Sequence, residues 1–165
     1  MTVVAAAALL AACAAEQKPE RPSFYASLDG ADARVDAQMA ASMISGYRAN
    51  NKLPALAVDP GLMALAQAQA EAMAKRDRVD PRVLGSFTQR IAKAGFDPAG
   101  ASENVSAGYR TLAEAFSGWR DSPRHRATML QNSATRMGIA TAYAPGSKYR
   151  VFWALIVAGP GKPPG

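Results

Sequence analysis

The run Val151-Phe152-Trp153-Ala154-Leu155-Ile156-Val157 holds no polar residue, and nothing else in the chain restricts the fold as strongly. A strand with one wet face alternates apolar and polar positions, so a run that is apolar throughout must be covered on both sides. Helices must therefore flank the sheet that contains it. Met137 to Tyr143 is a second β-type run, and Ala144-Pro145-Gly146-Ser147 between the two is a hairpin signal.

The helices that could supply those layers lie upstream. Val35, Met39, Met43 and Tyr47 recur at four-residue steps and predict an amphipathic helix ending before Asn50-Asn51. Asp59-Pro60, a capping residue followed by a first-turn proline, opens a second, with Leu62, Leu65, Ala66, Gln69 and Met73 along one stripe. Gln69, the polar exception, reads as a hydrogen-bonded glutamine of the core or its rim. After an irregular basic stretch from Lys75 to Gly85, Ser86-Phe87-Thr88-Gln89 has the form of a capping box for a short helix that stops at Gly95. Gly100 to Tyr109 is glycine-bounded and reads as a strand or extended loop. Thr111-Leu112-Ala113-Glu114 is another capping box, which makes Glu114 a cap rather than a catalytic acid, and Leu112, Ala115, Phe116 and Trp119 form the apolar face of its helix. Ser122-Pro123 opens the last helix, expected to reach Leu130 or Gln131 and to bury Met129 and Leu130.

The ends have a different character. Residues 1–12 are apolar and alanine-rich, too short for the roughly 20 residues that span a bilayer, and read as a signal-peptide h-region. Leu10-Ala11-Ala12-Cys13 resembles a lipobox, which would make Cys13 a lipidation site; Ala14 behind it fits the outer-membrane-directed pattern. No Lys or Arg precedes Lys18, so a basic n-region would lie upstream, or the segment is instead a buried or disordered alanine-rich tail. Residues 13–30 read as a disordered tether, 31–159 as one domain and 160–165 as a frayed tail. With one cysteine there is no internal disulfide, so stability must come from packing. The net charge of +6 favours acidic surfaces, but the basic residues are scattered, with Arg120, Arg124 and Arg126 the densest group. No aromatic-interleaved basic strip marks a nucleic-acid interface.

His125 is the only histidine. Its place in the first turn of the Ser122 helix disfavours imidazolium, and neutral imidazole accepts hydrogen bonds or binds a metal. Glu103-Asn104 and Trp119 complete the polar constellation.

Taken in order, Ile44-Ser45-Gly46-Tyr47-Arg48-Ala49, Leu53-Pro54-Ala55-Leu56, Arg90-Ile91 to Gly95-Phe96, Glu103-Asn104-Val105 to Gly108, Trp119 to Ser122-Pro123-Arg124-His125-Arg126 and Gly138-Ile139-Ala140 resemble the CAP superfamily, the cysteine-rich secretory and pathogenesis-related group, in its bacterial form. The resemblance covers Ile44 to about Val157. It implies an α+β fold: a three-layer α-β-α sandwich with a central, mainly antiparallel sheet, in agreement with the pattern of elements. It also implies a cleft that in many members holds a divalent metal between two histidines and two acidic residues. Glu103 and His125 match two of these positions. Pro81 stands where the first histidine is expected and Ser122 at the second acidic position, so half of the set is retained.

A catalytic zinc site ordinarily needs three protein ligands. Glu103 and His125 supply two, and Asp80, beside the missing histidine, is the only further candidate. Without a metal, Glu103 is expected to accept hydrogen bonds from neighbouring backbone and from His125. A Ser122, His125 and Glu103 hydrolase ranks last, because the N-cap role occupies the Ser122 hydroxyl and no nucleophile elbow is present. The expected ligand cleft comprises Glu103, Asn104, Trp119, Ser122 and His125. The leading reading is a non-enzymatic binding module of the cell envelope, monomeric, held at the membrane by a lipid anchor on Cys13, without a cofactor, and facing an anionic glycan or lipid. The alternatives are a hydrolase of protease or nuclease type dependent on Zn2+ or another divalent metal, and a lipid or sterol carrier.

Overall fold

The computed structural model describes residues 22–160. The h-region at 1–12, Cys13, the tether up to residue 21 and the tail from residue 161 lie outside the described residues. Five helices, α1 (Ala37–Asn50), α2 (Pro60–Lys75), α3 (Phe87–Lys93), α4 (Leu112–Asp121) and α5 (Pro123–Met129), accompany four strands, β1 (Ala57–Val58), β2 (Ala101–Ala107), β3 (Arg136–Tyr143) and β4 (Val151–Ala158). Among the described residues no helix is long and apolar enough to cross a membrane.

The sheet order is β1-β3-β4-β2. β3 and β4 form the expected antiparallel hairpin, β2 runs antiparallel along the other side of β4, and β1 adds two parallel pairs to β3. Every residue of β4 is buried, as its unbroken apolarity requires. Alternation sorts its side chains between two layers. Val151, Trp153, Leu155 and Val157 join a core with Ile44 of α1 and Leu112, Ala115 and Trp119 of α4. Ala154, Ile156 and Ala158 face Leu62, Ala66 and Ala70 of α2 and Ile91 of α3. The second face is built from small residues, and Gly138 on β3 shows why: a Cβ there would stand 2.1 Å from the backbone carbon of Leu62. Helix α2 therefore rides directly on the sheet backbone.

The elements begin where expected, with instructive differences. Asp59 caps α2 by accepting from the amides of Gly61 and Leu62, and Thr111 caps α4 by accepting from the Glu114 amide. Glu114 reaches back to the amide of Arg110 at 2.7 Å, one residue before the cap. Ser86 and Ser122 occupy N-cap positions, but neither side chain makes a cap hydrogen bond. The α1 stripe is turned from the one expected: Ala40, Ala41, Ile44 and Arg48 are the buried residues, while Met39, Met43 and Tyr47 are partly covered. Arg48 lies on the buried stripe. Its guanidinium is wholly buried and donates to the carbonyls of Pro54, Met129, Gln131 and Ala134 at 2.8–2.9 Å. On α5, Thr128 and Met129 are buried and Leu130 only partly so.

The segment before Ala31, expected to be part of the tether, packs on the domain from Pro22 onward. Leu28 is buried in the α1/α4 core, and Asp29 accepts from Arg150 Nε at 2.8 Å and lies 3.6 Å from Arg110 Nε. The Ser23 hydroxyl also donates to Asp36 at 2.8 Å, the Leu28 amide to the Arg110 carbonyl at 2.7 Å, and Phe24 packs against the core.

Candidate functional site

At the β2 edge of the sheet a cavity of about 300 Å3 is lined by Val79 and Pro81 from the loop between α2 and α3, Glu103 and Val105 from β2, and Arg124 and His125 from α5. Period-two alternation sets what β2 can contribute to it. Glu103 and Val105 pair with Ile156 and Ala154 and so share the α2/α3 face, whereas Asn104 and Ser106 pair with Leu155 and Trp153 and point to the α4/α5 side. Proline at the first position of α5 and its cap at Ser122 place Arg124 and His125 in the first turn, against β2.

Glu103 is held by Arg90 of α3, whose Nη2 lies 3.0 Å from both carboxylate oxygens. The side chains are 11% and 5% exposed, which makes this the most buried ion pair among the described residues. Burial pushes the Glu103 carboxyl above its ordinary range, against the downward pull of Arg90. His125 is half-buried, and desolvation followed by the neighbouring Arg124 charge pushes its imidazole below its ordinary value. The ring is thus biased to the neutral form. Among the described residues neither Arg124, which lines the cavity, nor Arg126 on the same helix makes an ion pair, so Arg124 brings an uncompensated positive charge to the cavity wall.

A larger groove of about 550 Å3 lies between the end of α2 and the hairpin loop, lined among others by Glu71, Lys75, Asp77 and Ser147. Asp77 there is already bonded to the Ser147 hydroxyl, and the groove contains neither the histidine nor a buried charge. Chemistry rather than volume singles out the smaller cavity.

The model of the cysteine-rich secretory protein family, CAP, matches residues 41–157. The chain belongs to this family. Solved structures agree on the fold. An extracellular protein containing an SCP domain from Bacillus anthracis superposes with a TM-score of 0.63 at 23% identity, over 74% of this chain and 40% of that one. An outer surface protein of Borrelia burgdorferi gives 0.67 at 18% identity, over 79% and 98%. A cysteine-rich secretory protein of Staphylococcus aureus gives 0.59 at 14%, over 74% and 38%. The chain thus spans well under half the length of the first and third of these. No curated protein matches its sequence.

The CAP motifs have visible physical roles, and they differ from a single ligand cleft. Asn104 is buried and donates from Nδ2 to the His125 carbonyl at 2.9 Å, fastening β2 to α5. Trp119 is buried, donates from Nε1 to Ser106 Oγ at 3.1 Å, and stacks edge-on against Trp153 with centroids 5.9 Å apart. Neither lines the cavity, and Ser122 does not line it either. The structure thus brings Glu103 and His125 together and puts Asn104 and Trp119 behind them as supports. Glu103 takes its hydrogen bonds from Arg90, not from backbone or His125 as expected. The free Ser122 hydroxyl removes the argument that capping occupies it, but with Glu103 tied to Arg90 there is no acid to orient His125 in a triad. Asp80 is tied into its own turn: it pairs with Arg78 at 2.5 Å and accepts from the Arg82 amide at 2.8 Å. Gln69 donates to the Asp80 carbonyl at 2.9 Å, as expected of a hydrogen-bonded glutamine, while among the described residues its buried Oε1 has no partner. Among the described residues no group of three or more His, Cys, Asp or Glu is assembled for a metal.

The residue that sequence reasoning missed is Arg90. The sequence places it only within the family motif Arg90-Ile91, which carries no sign of the thirteen-residue reach to Glu103.

Proposed function

We propose that the chain is a non-enzymatic CAP module working outside the cytoplasm, which takes an anionic envelope component, through its phosphate or carboxylate groups, in the cleft between the α2–α3 loop, β2 and α5. The observation that carries this reading is the contrast inside the cleft. Its one carboxylate, Glu103, is already neutralised by Arg90, while Arg124 at the mouth has no acidic partner among the described residues. A neutral His125 beside it can hydrogen-bond an anion without adding a charge that must be desolvated. The extracellular and outer-surface descriptions of the B. anthracis and B. burgdorferi proteins support the location. A lipid on Cys13 would hold the module at the membrane.

Salt-dependent binding to an anionic glycan polymer and to phosphatidylglycerol vesicles tests the reading. Affinity should fall steeply between about 0.05 and 0.5 M salt as screening grows. Arg124→Ala with Arg126→Ala should weaken it at least about fivefold, the scale of one or two lost charge contacts. The charge-matched Lys93→Ala, Lys148→Ala variant should bind nearly as the parent does. Equal loss in both double variants would reduce the effect to net charge and sink the reading.

A further inference from the structure

We infer that the α2–α3 loop, residues 76–85, is a membrane-contacting surface, with Val79 and Leu84 entering the edge of an anionic bilayer and Arg76 and Arg82 meeting its phosphates. The contact belongs to the rim of the cleft, not its interior, and stands whether or not the cleft takes an anion.

Only three large apolar side chains among the described residues are exposed, and two of them, Val79 at 37% and Leu84 at 44%, fall in this loop. Looseness does not put them there. Helix α2 ends in a Schellman turn, with Asp77 at φ 48° and the amides of Asp77 and Arg78 donating to the carbonyls of Ala74 and Met73. Two further turns follow, from the Val83 amide to the Asp80 carbonyl at 3.2 Å and from the Gly85 amide to the Arg82 carbonyl at 2.8 Å. Within them Val83 is buried in a cluster with Met73 and Phe152. The fixed loop thus tucks in one apolar side chain and leaves two in water. Their apolar area can leave water only against something outside the molecule.

Charge says what that is. Arg76, Arg78 and Arg82 are exposed, while the loop's two acids are engaged: Asp80 by Arg78 and the Arg82 amide, Asp77 by the Ser147 hydroxyl of the hairpin. Among the described residues Arg76 and Arg82 make no ion pair. Val79 lines the same cavity as Arg124, so the cationic surface continues onto α5. An acidic polymer would meet the arginines but offer the apolar pair nothing to enter. A protein partner is met by a contiguous apolar patch, whereas Asp80, Pro81, Arg82 and the buried Val83 separate Val79 from Leu84. A bilayer edge accepts both components. Separate aliphatic side chains reach past the headgroups, while arginine stems lie along apolar surface and the guanidinia stay with the phosphates.

Leu84→Trp in the full chain tests the contact by fluorescence, because Trp119 and Trp153 are wholly buried and give a constant background. With phosphatidylglycerol vesicles its emission should move to shorter wavelength and be quenched by brominated acyl chains; with phosphatidylcholine vesicles it should do neither. Val79→Trp serves if Leu84→Trp does not fold. Tyr25→Trp, at the third exposed apolar position, should remain unquenched. Arg76→Ala and Arg82→Ala added to Leu84→Trp should raise the lipid concentration for half-maximal quenching at least about fivefold, the scale of one charge at an anionic surface. Lys93→Ala and Lys148→Ala in the same background should leave it nearly unchanged. Absence of quenching at position 84 overturns the inference, as does equal quenching at position 25, equal quenching on phosphatidylcholine or equal loss in the two charge variants. Binding of an anionic glycan should survive Val79→Ser with Leu84→Ser, so failure of the cleft reading and failure of the membrane contact are seen separately.

Discussion

Two arginines, Arg48 wholly buried and Arg90 nearly so, divide the molecule into a part built for permanence and a part built around a cleft. Arg48 makes four hydrogen bonds to backbone carbonyls and meets no carboxylate among the described residues. Arg90 meets a carboxylate, while its Nε and Nη1 make no hydrogen bond to protein. Both guanidinia are desolvated, but the first is fully used to tie α1 to the loop after it and to the segment following α5. The second balances one side chain at the wall of a cavity. Donor use, rather than burial, separates the structural arginine from the one at the site.

The comparison predicts an ordered series of effects. Arg48→Met should cost the most, about 4 kcal/mol or more, because four carbonyls lose a charged donor at once and no second substitution can replace it. Chemical denaturation would show it, and a loss near 1 kcal/mol would mean that the carbonyls find water. Arg90→Met or Glu103→Leu alone should cost about 3 kcal/mol, since each strands a buried charge, yet the double variant should recover most of that loss. A double-mutant cycle measures this coupling, and simple additivity would break the contrast between the two arginines. Trp119→Phe should cost about 1–2 kcal/mol, through the lost Ser106 bond and the altered packing on Trp153, without changing ligand affinity, because Trp119 stands behind the cleft.

A smaller effect should appear in the pH dependence. The folded-state value of His125 is depressed, so the unfolded chain binds the proton more readily. Its contribution is present above the ordinary value of 6.5 and is lost as pH falls toward the depressed folded value. His125→Gln should therefore flatten the stability slope just below 6.5. Glu103 acts in the opposite sense. Its raised carboxyl makes the folded state the better proton binder, so stability declines as pH rises from 4.5 through the folded value, and Glu103→Gln should remove that decline. Arg124→Ala should move stability least, within about 0.5 kcal/mol, because its side chain is at the surface and unpaired.

What could be read from the chain was what local physics decides. The apolar run of β4, the Ala144–Ser147 turn and the Asp59-Pro60 cap each declare themselves within a few residues, and together they yield the sandwich. The family motifs also have local meanings: Ser45 Oγ accepts the Leu56 amide at 3.0 Å, and Gly138 clears the way for α2. The rest depends on partners distant in sequence. Hydropathy assigns Arg48 to the surface because the carbonyls that hold it lie six to eighty-six residues away. Glu103 and Asn104 look like one motif, yet adjacent strand positions face opposite layers. The Arg90–Glu103 pair spans thirteen residues and two elements, and the two residues of β1 are too few to show a period.

The place of β4 has a consequence for how the chain acquires its shape. Among the described residues it is the last element and an interior strand of the sheet, and it provides all the pairing of β2 and nearly all that of β3. While the chain is being made, everything before residue 151 can form helices but has almost nothing against which to build a sheet. The nascent chain must therefore wait, with the inner faces of α1, α2 and α4 uncovered, until β4 arrives and both layers close on it together.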